Sequence, residues 1–390
     1  MRRTICAVTG ARSDYGLLYW VLRAIRDDEH LQLRLLVTGT HLSPEFGLTV
    51  KAIEADGFEI ADRVEMLLSG DTPISIAKSI GLGTMGMAEA FARMNPDMVL
   101  LLGDRFETFA AAQAALVLQL PVAHLIGGDL TEGAFDDAIR HSITKMSHVH
   151  FVTNAASAQR VRQLGENPAS VHDVGSPGLD YLRRVELLDR GELERDLAFR
   201  FRARNVLVTF HPETLADQAP AMPFAQLLTA LDRLGPEVGI VLTGPNADTH
   251  GRTLFPMIEA FVRERDNALF MNSLGQLRYL SVMAQVDAVV GNSSSGIMEA
   301  PSLQKPTVNI GERQRGRQQA ASILNCLAAA DAIESAIRQA FELDCRSVVN
   351  PYGDGHTSAR IVSALKNIAD PKALIRKRFV DVHQPAEGAR

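Results

Sequence analysis

The chain has 390 residues, 46% hydrophobic and 22% charged, with 29 Gly, 17 Pro, 3 Cys and a formal net charge of −6. That length suits two domains with sizeable cores and excludes global disorder, and the mild acidity excludes a general nucleic-acid binder, which needs a surplus of Lys and Arg. Cys6, Cys326 and Cys345 form neither a CxxC pair nor a disulfide framework, no apolar run reaches the ~18 residues of a bilayer span, and the opening MRRTICAVTG reads directly as a strand, so a cytoplasmic protein with no membrane partner is expected.

Short aliphatic runs at 5–8, 33–37, 98–102, 122–126 and 149–152 read as strands. They are continuous rather than alternating, as parallel strands covered on both faces should be. Helical stretches at 15–26, 74–93, 106–120 and 134–145 separate them, which is βαβ logic. A second series follows Gly175-Ser176-Pro177-Gly178, with strands at 206–209, 239–242, 268–271, 288–290 and 307–310 and helices at 224–234 and 276–284. The expectation is an α/β protein of two Rossmann-like, doubly wound domains, 1–177 and 178–357, hinged near 175–180. The remainder, 358–390, is expected to form a helix packed towards the first domain and a tail poorly ordered at its end. Arg376-Lys377-Arg378 reads as a solvated face.

Ligands of open α/β sheets bind beyond the carboxyl ends of the strands, and five polar segments lie there. Residues 9–16 open a helix, where free N–H groups and Arg12 suit an anion; the plainer reading is a turn capped by Ser13 or Asp14. After the strand at 98–102, Asp104 either caps a helix or projects a carboxylate towards a ligand. Residues 124–141 gather Asp129, Asp136, Asp137, Arg140 and His141. They make either one self-satisfied helix face or a set of carboxylates whose mutual repulsion separates an acid from a base. His211 follows the first strand of the second series, placed for proton transfer near neutral pH or simply buried as a core histidine. Residues 291–299 put Ser293, Ser294 and Ser295 at a helix start with Glu299 about one turn on, which suits a diphosphate and a ribose or an ordinary serine cap. Arg313 and Arg317 add positive charge nearby, and Asn246 lies at another strand end. The histidines carry no metal spacing such as HExxH.

Taken together, GARSDYGLL, VTGTHLSPEFG, GDRFE, GGDLTEGAFDDAIRHSITK, TFHPET, GNSSSGIMEAPS and NPYGDG closely resemble, in order and over nearly the whole chain, the hydrolysing UDP-N-acetylglucosamine 2-epimerases of nonulosonic acid (sialic and legionaminic acid) pathways. The resemblance implies the GT-B architecture, two Rossmann-like domains with an active site in the cleft between them. It implies a UDP-linked 2-acetamido sugar, UDP-GlcNAc first, as substrate. The C2 proton leaves with UDP, water adds to the glycal at C1, and C2 is reprotonated from the opposite face to give the free manno-configured sugar, ManNAc. No cofactor and no metal are implied. Asp104 matches a family acid–base carboxylate, and His211 the histidine that stabilises or protonates the departing diphosphate. Asp129 stands where many relatives carry Glu. Ile126 replaces a Glu of some relatives, which shifts weight onto Asp129, Asp136 and Asp137. Arg12, Arg105, Asn246, Ser294, Ser295, Glu299, Arg313 and Arg317 fall to substrate and nucleotide binding, and a homodimer or homotetramer is expected. The same reaction on UDP-2,4-diacetamido-2,4,6-trideoxyglucose, a GDP-linked donor, a GT-B glycosyltransferase and a catalytically silent nucleotide-sugar sensor are the competing readings.

Overall fold

The computed structural model describes residues 2–70, 72–131, 135–211, 221–244 and 254–381. The chain divides into two compact units: Met1–Asp129, Phe135–Asp180 and Gly355–Arg390 form unit 1, and Leu130–Ala134 with Tyr181–Asp354 form unit 2. Both are α/β, built on wholly parallel sheets.

Unit 1 holds β1 (Arg3–Thr9), β2 (Leu31–Thr38), β3 (Ile60–Val64), β4 (Met98–Leu102), β5 (Val122–Leu125), β6 (Val149–Val152) and β7 (Val171–Asp173), in the order β3-β2-β1-β4-β5-β6-β7. Between them run α1 (Arg12–Arg26), α2 (Val50–Ala55), α3 (Pro73–Met94), α4 (Phe106–Val117), α5 (Asp136–Met146) and α6 (Ala155–Gln163). Ile5 of β1 pairs with Leu33 on one side and Met98 on the other, so β1 and β4 are neighbours although β2 and β3 intervene in sequence. The strand order therefore reverses between β1 and β4, the topological switch point at which such sheets bind ligands. All five residues of β4 are buried, which is why its run is uniformly aliphatic. The last helix, Thr357–Asn367, places Ile361, Val362 and Leu365 in the core formed by α1 and β1. Buried Asp180 caps it, accepting from the N–H groups of Thr357 (2.7 Å) and Ser358 (2.8 Å).

The chain continues through α7 (Leu179–Arg184) into unit 2. There β8 (Arg204–Thr209), β9 (Val238–Thr243), β10 (Ala268–Met271), β11 (Ala288–Gly291), β12 (Thr307–Ile310) and β13 (Ile323–Cys326) form a sheet in the order β10-β9-β8-β11-β12-β13. Its helices are α8 (Arg190–Leu197), α9 (Ala221–Arg233), α10 (Phe255–Arg263), α11 (Gly275–Gln285), α12 (Ser294–Met298) and α13 (Ala330–Glu342). Here the order reverses between β8 and β11. Gly291 ends β11 at φ +134°, and a Cβ there would stand 1.9 Å from the Thr209 carbonyl, so only glycine lets the two central strands approach.

The ten expected strands are all present. The edge strands β3, β7 and β13 are additional; they are short and partly exposed, so their sequences lack the aliphatic run. Strand β5 stops at Leu125 because Ile126 turns left-handed (φ +65°), a conformation that costs a side-chain-bearing residue about 1–2 kcal/mol. The basic cluster at 376–378 is no simple solvated face. The Lys377 ammonium donates to buried Glu166 (2.8 Å) and to the carbonyls of Lys145 and Ser147 (both 2.7 Å). The end of the tail, 382–390, lies outside the described residues. Among the described residues, no helix is long and apolar enough to cross a membrane.

Candidate active site

In unit 1 the chemistry collects at the β1/β4 switch point. Asp104 follows β4 and does not cap α4, whose N-cap is Arg105 with no side-chain bond. Its carboxylate instead accepts from Nη2 of Arg140 on α5. Arg140 is buried, and its Nη1 also donates to the Asp129 carbonyl at 2.7 Å. One guanidinium thus ties the loop after β4 to the loop after β5. His124 supports the same place from beneath: its Nε2 sits 2.8 Å from the Gly103 carbonyl and its Nδ1 3.2 Å from Thr144 Oγ1. The carbonyl can only accept, so Nε2 carries a proton. Burial holds the imidazole's pKa down at about 3.

Asp136 and Asp137 open α5. Burial and then the charge of Asp104 push the Asp136 carboxyl up to about 6, against the pull of Arg105 and Arg140. Asp137 lies 3.7 Å from Arg140 and 3.5 Å from His141. Asp129 is 4% exposed, and its Oδ1 accepts from Thr153 (2.7 Å) and Ser157 (2.5 Å), hydroxyls of the loop after β6 and of α6. A carboxylate so held is a pin between loops. Its Oδ2 is buried with no hydrogen-bond partner among the described residues.

Two acidic residues absent from the sequence-based set join Asp104. Asp14, the third residue of α1, is buried; the helix N-cap is Ala11, so neither Ser13 nor Asp14 serves as the cap. Its carboxyl is pushed up to about 7, chiefly by burial and then by Glu107 and Asp104, while Arg105, 4.0 Å away, opposes this. Glu107, 1% exposed, accepts from Arg105 Nε (3.2 Å) and Nη2 (3.3 Å). The available signal was the acidic content of GARSD and GDRFE at the two central strand ends. Arg12, the first residue of α1, is exposed.

In unit 2 the β8/β11 switch point is closed by a reciprocal clamp. Asn292 Oδ1 accepts from the His211 N–H (2.7 Å), and Asn292 Nδ2 donates to the His211 carbonyl (2.8 Å). The Asn292 carbonyl in turn accepts from Arg313 Nη1 (3.0 Å) and Gln314 Nε2 (2.8 Å). His211, Asn292 and Arg313 are therefore one assembly. Burial, followed by the Arg313 charge, holds the His211 imidazole down at about 3, so at neutral pH it is an uncharged donor.

Ser293 is the N-cap of α12, its hydroxyl accepting from the Ser295 N–H. The Ser295 hydroxyl lies 2.6 Å from Tyr279 OH and 3.0 Å from Ser293 Oγ; Tyr279 reaches Thr209 Oγ1 at 3.3 Å, and Thr209 reaches Thr243 at 2.7 Å. A chain of hydroxyls thus runs from two strand ends into the serine turn. Glu299 follows α12 directly, as its C-cap; burial pushes its carboxyl up to about 8, with Arg317 opposing. Arg317 is half-buried beside the Met298 sulfur. Asn246 lies outside the described residues. Among the described residues no group of three or more His, Cys, Asp or Glu side chains is placed to hold a metal ion.

The chain is similar to several known proteins. The GDP/UDP-N,N'-diacetylbacillosamine 2-epimerase (hydrolyzing) of Campylobacter jejuni is 38% identical over 83% of this chain and 84% of its own. The UDP-N,N'-diacetylbacillosamine 2-epimerase (hydrolyzing) of Legionella pneumophila is 36% identical over 97% and 99%. The UDP-N-acetylglucosamine 2-epimerase of Neisseria meningitidis is 29% identical over 98% and 100%. The fold is similar to that of the Methanocaldococcus jannaschii UDP-GlcNAc 2-epimerase solved with UDP-GlcNAc and UDP, at a TM-score of 0.76 and 15% identity over 93% and 99% of the two chains. Residues 23–366 match the family model described as UDP-N-acetylglucosamine 2-epimerase, and with switch-point carboxylates in one unit and a histidine–serine assembly in the other, this chain belongs to that family.

Proposed function

We propose that this protein is a hydrolysing 2-epimerase of a nucleoside-diphosphate-linked 2-acetamido sugar, releasing UDP and the free manno-configured sugar. The observation that carries the reading is Asp104, ion-paired with Arg140, beside an Asp136 carboxyl that burial holds near pH 6. Two carboxyls with such different surroundings suit a base and an acid. Asp104 takes the C2 proton as UDP leaves C1. Asp136, which keeps its own proton to higher pH than an ordinary carboxyl, returns one after water has added. Asp129 positions the loop that carries Arg140's second bond, and Asp137 assists Arg140. Neutral His211 donates a hydrogen bond to the departing diphosphate. Ser294, Ser295 and Glu299 hold phosphate and ribose, with Arg313 and Arg317 supplying charge. Unit 1 thereby supplies acid–base chemistry and unit 2 nucleotide binding.

The sugar favoured is UDP-N,N'-diacetylbacillosamine, a 2,4-diacetamido sugar, because the relatives at 36–38% identity are named for it. UDP-GlcNAc, giving ManNAc, is the second reading, supported by the meningococcal relative at 29%. Either product is suited to nonulosonic acid synthesis. The test is incubation of the purified chain with each nucleotide sugar alone in D2O. Release of UDP together with a free sugar deuterated at C2 is the expected result. Protium retained at C2 overturns the elimination chemistry, and UDP release that needs an added acceptor makes the protein a glycosyltransferase.

A further inference from the structure

Glu107 is the second residue of α4, where the helix N-terminus favours a carboxylate. It is more enclosed than that position requires. A Cβ added at Gly10 would stand 2.9 Å from the Glu107 Cβ, and one at Gly39 would stand 2.9 Å from its Oε1. The loops after β1 and β2 therefore use glycine where they close over this one side chain. Inside that enclosure its two oxygens receive two N–H groups of Arg105, at 3.2 and 3.3 Å. The exposures are unequal: the Glu107 side chain is 1% exposed and the Arg105 side chain 36%. The carboxylate is the fixed partner and the guanidinium reaches outward from it. Desolvating a carboxylate so fully, against a cationic partner whose side chain is itself partly in solvent, is costly for packing alone. The two-pronged bond does restrict a long side chain to one direction.

We propose that Glu107 is a positioning residue: wedged against Gly10 and Gly39, it grips Arg105 and fixes that guanidinium beside the carboxyls of Asp14 and Asp136, both of which feel the charge of Asp104. The proposal rests on the epimerase reading for its effect on turnover, not for the grip itself. The charged and titratable groups facing the pair are Asp14 from α1, Asp104 from the loop after β4, Asp136 from α5, and His41, which feels the Arg105 charge. With Arg105 held, its charge offsets part of the repulsion among the three carboxyls and remains available to substrate.

The test uses the full chain and the nucleotide sugar that the wild type turns over. Glu107→Gln keeps the shape and one acceptor. It is expected to lower kcat/KM at least tenfold with a melting temperature within a few degrees of wild type, and to move the acid limb of the pH profile to lower pH, since a negative charge near Asp14 has gone. Added to Arg105→Gln, it should cost nothing further, because both changes remove one device. Wild-type kcat/KM in Glu107→Gln, or losses that multiply in the double variant, overturns the proposal. Should Glu107→Gln not fold, Arg105→Lys keeps the charge without the fork; a tenfold loss supports the grip and full activity overturns it. The Arg105 Nε–H resonance, identified by its loss in Arg105→Lys, gives a reading without turnover. It should exchange slowly in the wild type, and fast exchange there overturns the grip. A wild type that releases no UDP but shows the slow resonance sinks the epimerase reading and leaves the grip standing.

Discussion

Arg140 holds Asp104 from a helix thirty-six positions away in sequence, and the same guanidinium bonds the backbone of Asp129. Asp104 is therefore placed by α5, not by its own loop. Replacing it with Asn keeps the shape but leaves a buried guanidinium facing a neutral amide. Asp104→Asn is expected to lower turnover by roughly 10²–10⁴, the usual loss when general acid–base catalysis is removed, with UDP affinity little changed. Rapid-quench turnover and calorimetry with UDP separate the two. Wild-type turnover in Asp104→Asn would move the base elsewhere in the cluster.

Asp136 makes a prediction of definite sign. Its carboxyl is raised from an ordinary value of 3.8 to about 6 in the fold. Between those values the native state holds more protons than the unfolded chain, so this group's contribution to stability is complete below pH 4 and is lost as pH rises through 6. Asp136→Asn removes the penalty. Its melting temperature relative to wild type should be level at pH 4 and higher by pH 8. The wild-type kcat/KM profile should show a limb near pH 6 that the residual activity of the variant lacks. A melting difference independent of pH would mean that Asp136 titrates normally.

Both sheets were legible because parallel strands buried on two faces must be aliphatic throughout, as β4 is. Asp104 and the Asp136–Asp137 pair stand out in the sequence as candidate chemistry, since a helix start needs few carboxylates, whereas Glu107 of the same GDRFE segment does not. The partners were not legible. Nothing in the order of residues says that Arg140 reaches Asp104 as well as Asp137, its neighbour one turn away, or that Asp129 turns inward to Thr153 and Ser157. These pairings are set by strand order, and strand order brings together residues far apart in the chain. Lys377 failed for the same reason: a basic triplet looks solvated until Glu166 is folded beneath it. The plainer reading of the first turn, a cap by Ser13 or Asp14, follows from what helix-start hydroxyls and acids usually do, whereas here Ala11 is the N-cap and Asp14 lies 4.0 Å from Arg105.

Buried histidines are expected to weaken the fold in acid. Burial lowers His41 to about 4, His124 to about 3, His148 to about 4 and His211 to about 3. In each case the unfolded chain takes up a proton below its ordinary value of 6.5 that the native state refuses. Stability from these groups is present above 6.5 and falls as pH drops towards 4. Thermal melts between pH 7 and 4 should show the decline. His124→Gln, which retains a donor for the Gly103 carbonyl, should be less stable at pH 7 yet lose less on acidification. An equal acid loss in the variant would remove His124 from this set.

The serine turn of unit 2 carries the nucleotide prediction. Ser295 is already bonded to Tyr279 and Ser293, so its hydroxyl is oriented before any ligand arrives, whereas Ser294 is half-buried at the first position of α12. A diphosphate at this turn would accept hydrogen bonds from both hydroxyls, and bonds to a charged acceptor are the stronger kind. Ser294→Ala with Ser295→Ala should weaken UDP by about 1–3 kcal/mol, which is roughly five- to 150-fold in Kd. Uridine, which has no phosphate, should bind both proteins alike. Tyr279→Phe separates orientation from contact: it removes the hydroxyl that holds Ser295 and leaves the ring. Its UDP affinity should fall by less than that of the double serine variant, with uridine again unchanged. Calorimetry with the two ligands measures all of these. Equal UDP affinity in wild type and the double variant would remove the turn from the phosphate site, and an equal loss for uridine would mean that the substitutions had disturbed the fold of unit 2 rather than a phosphate contact.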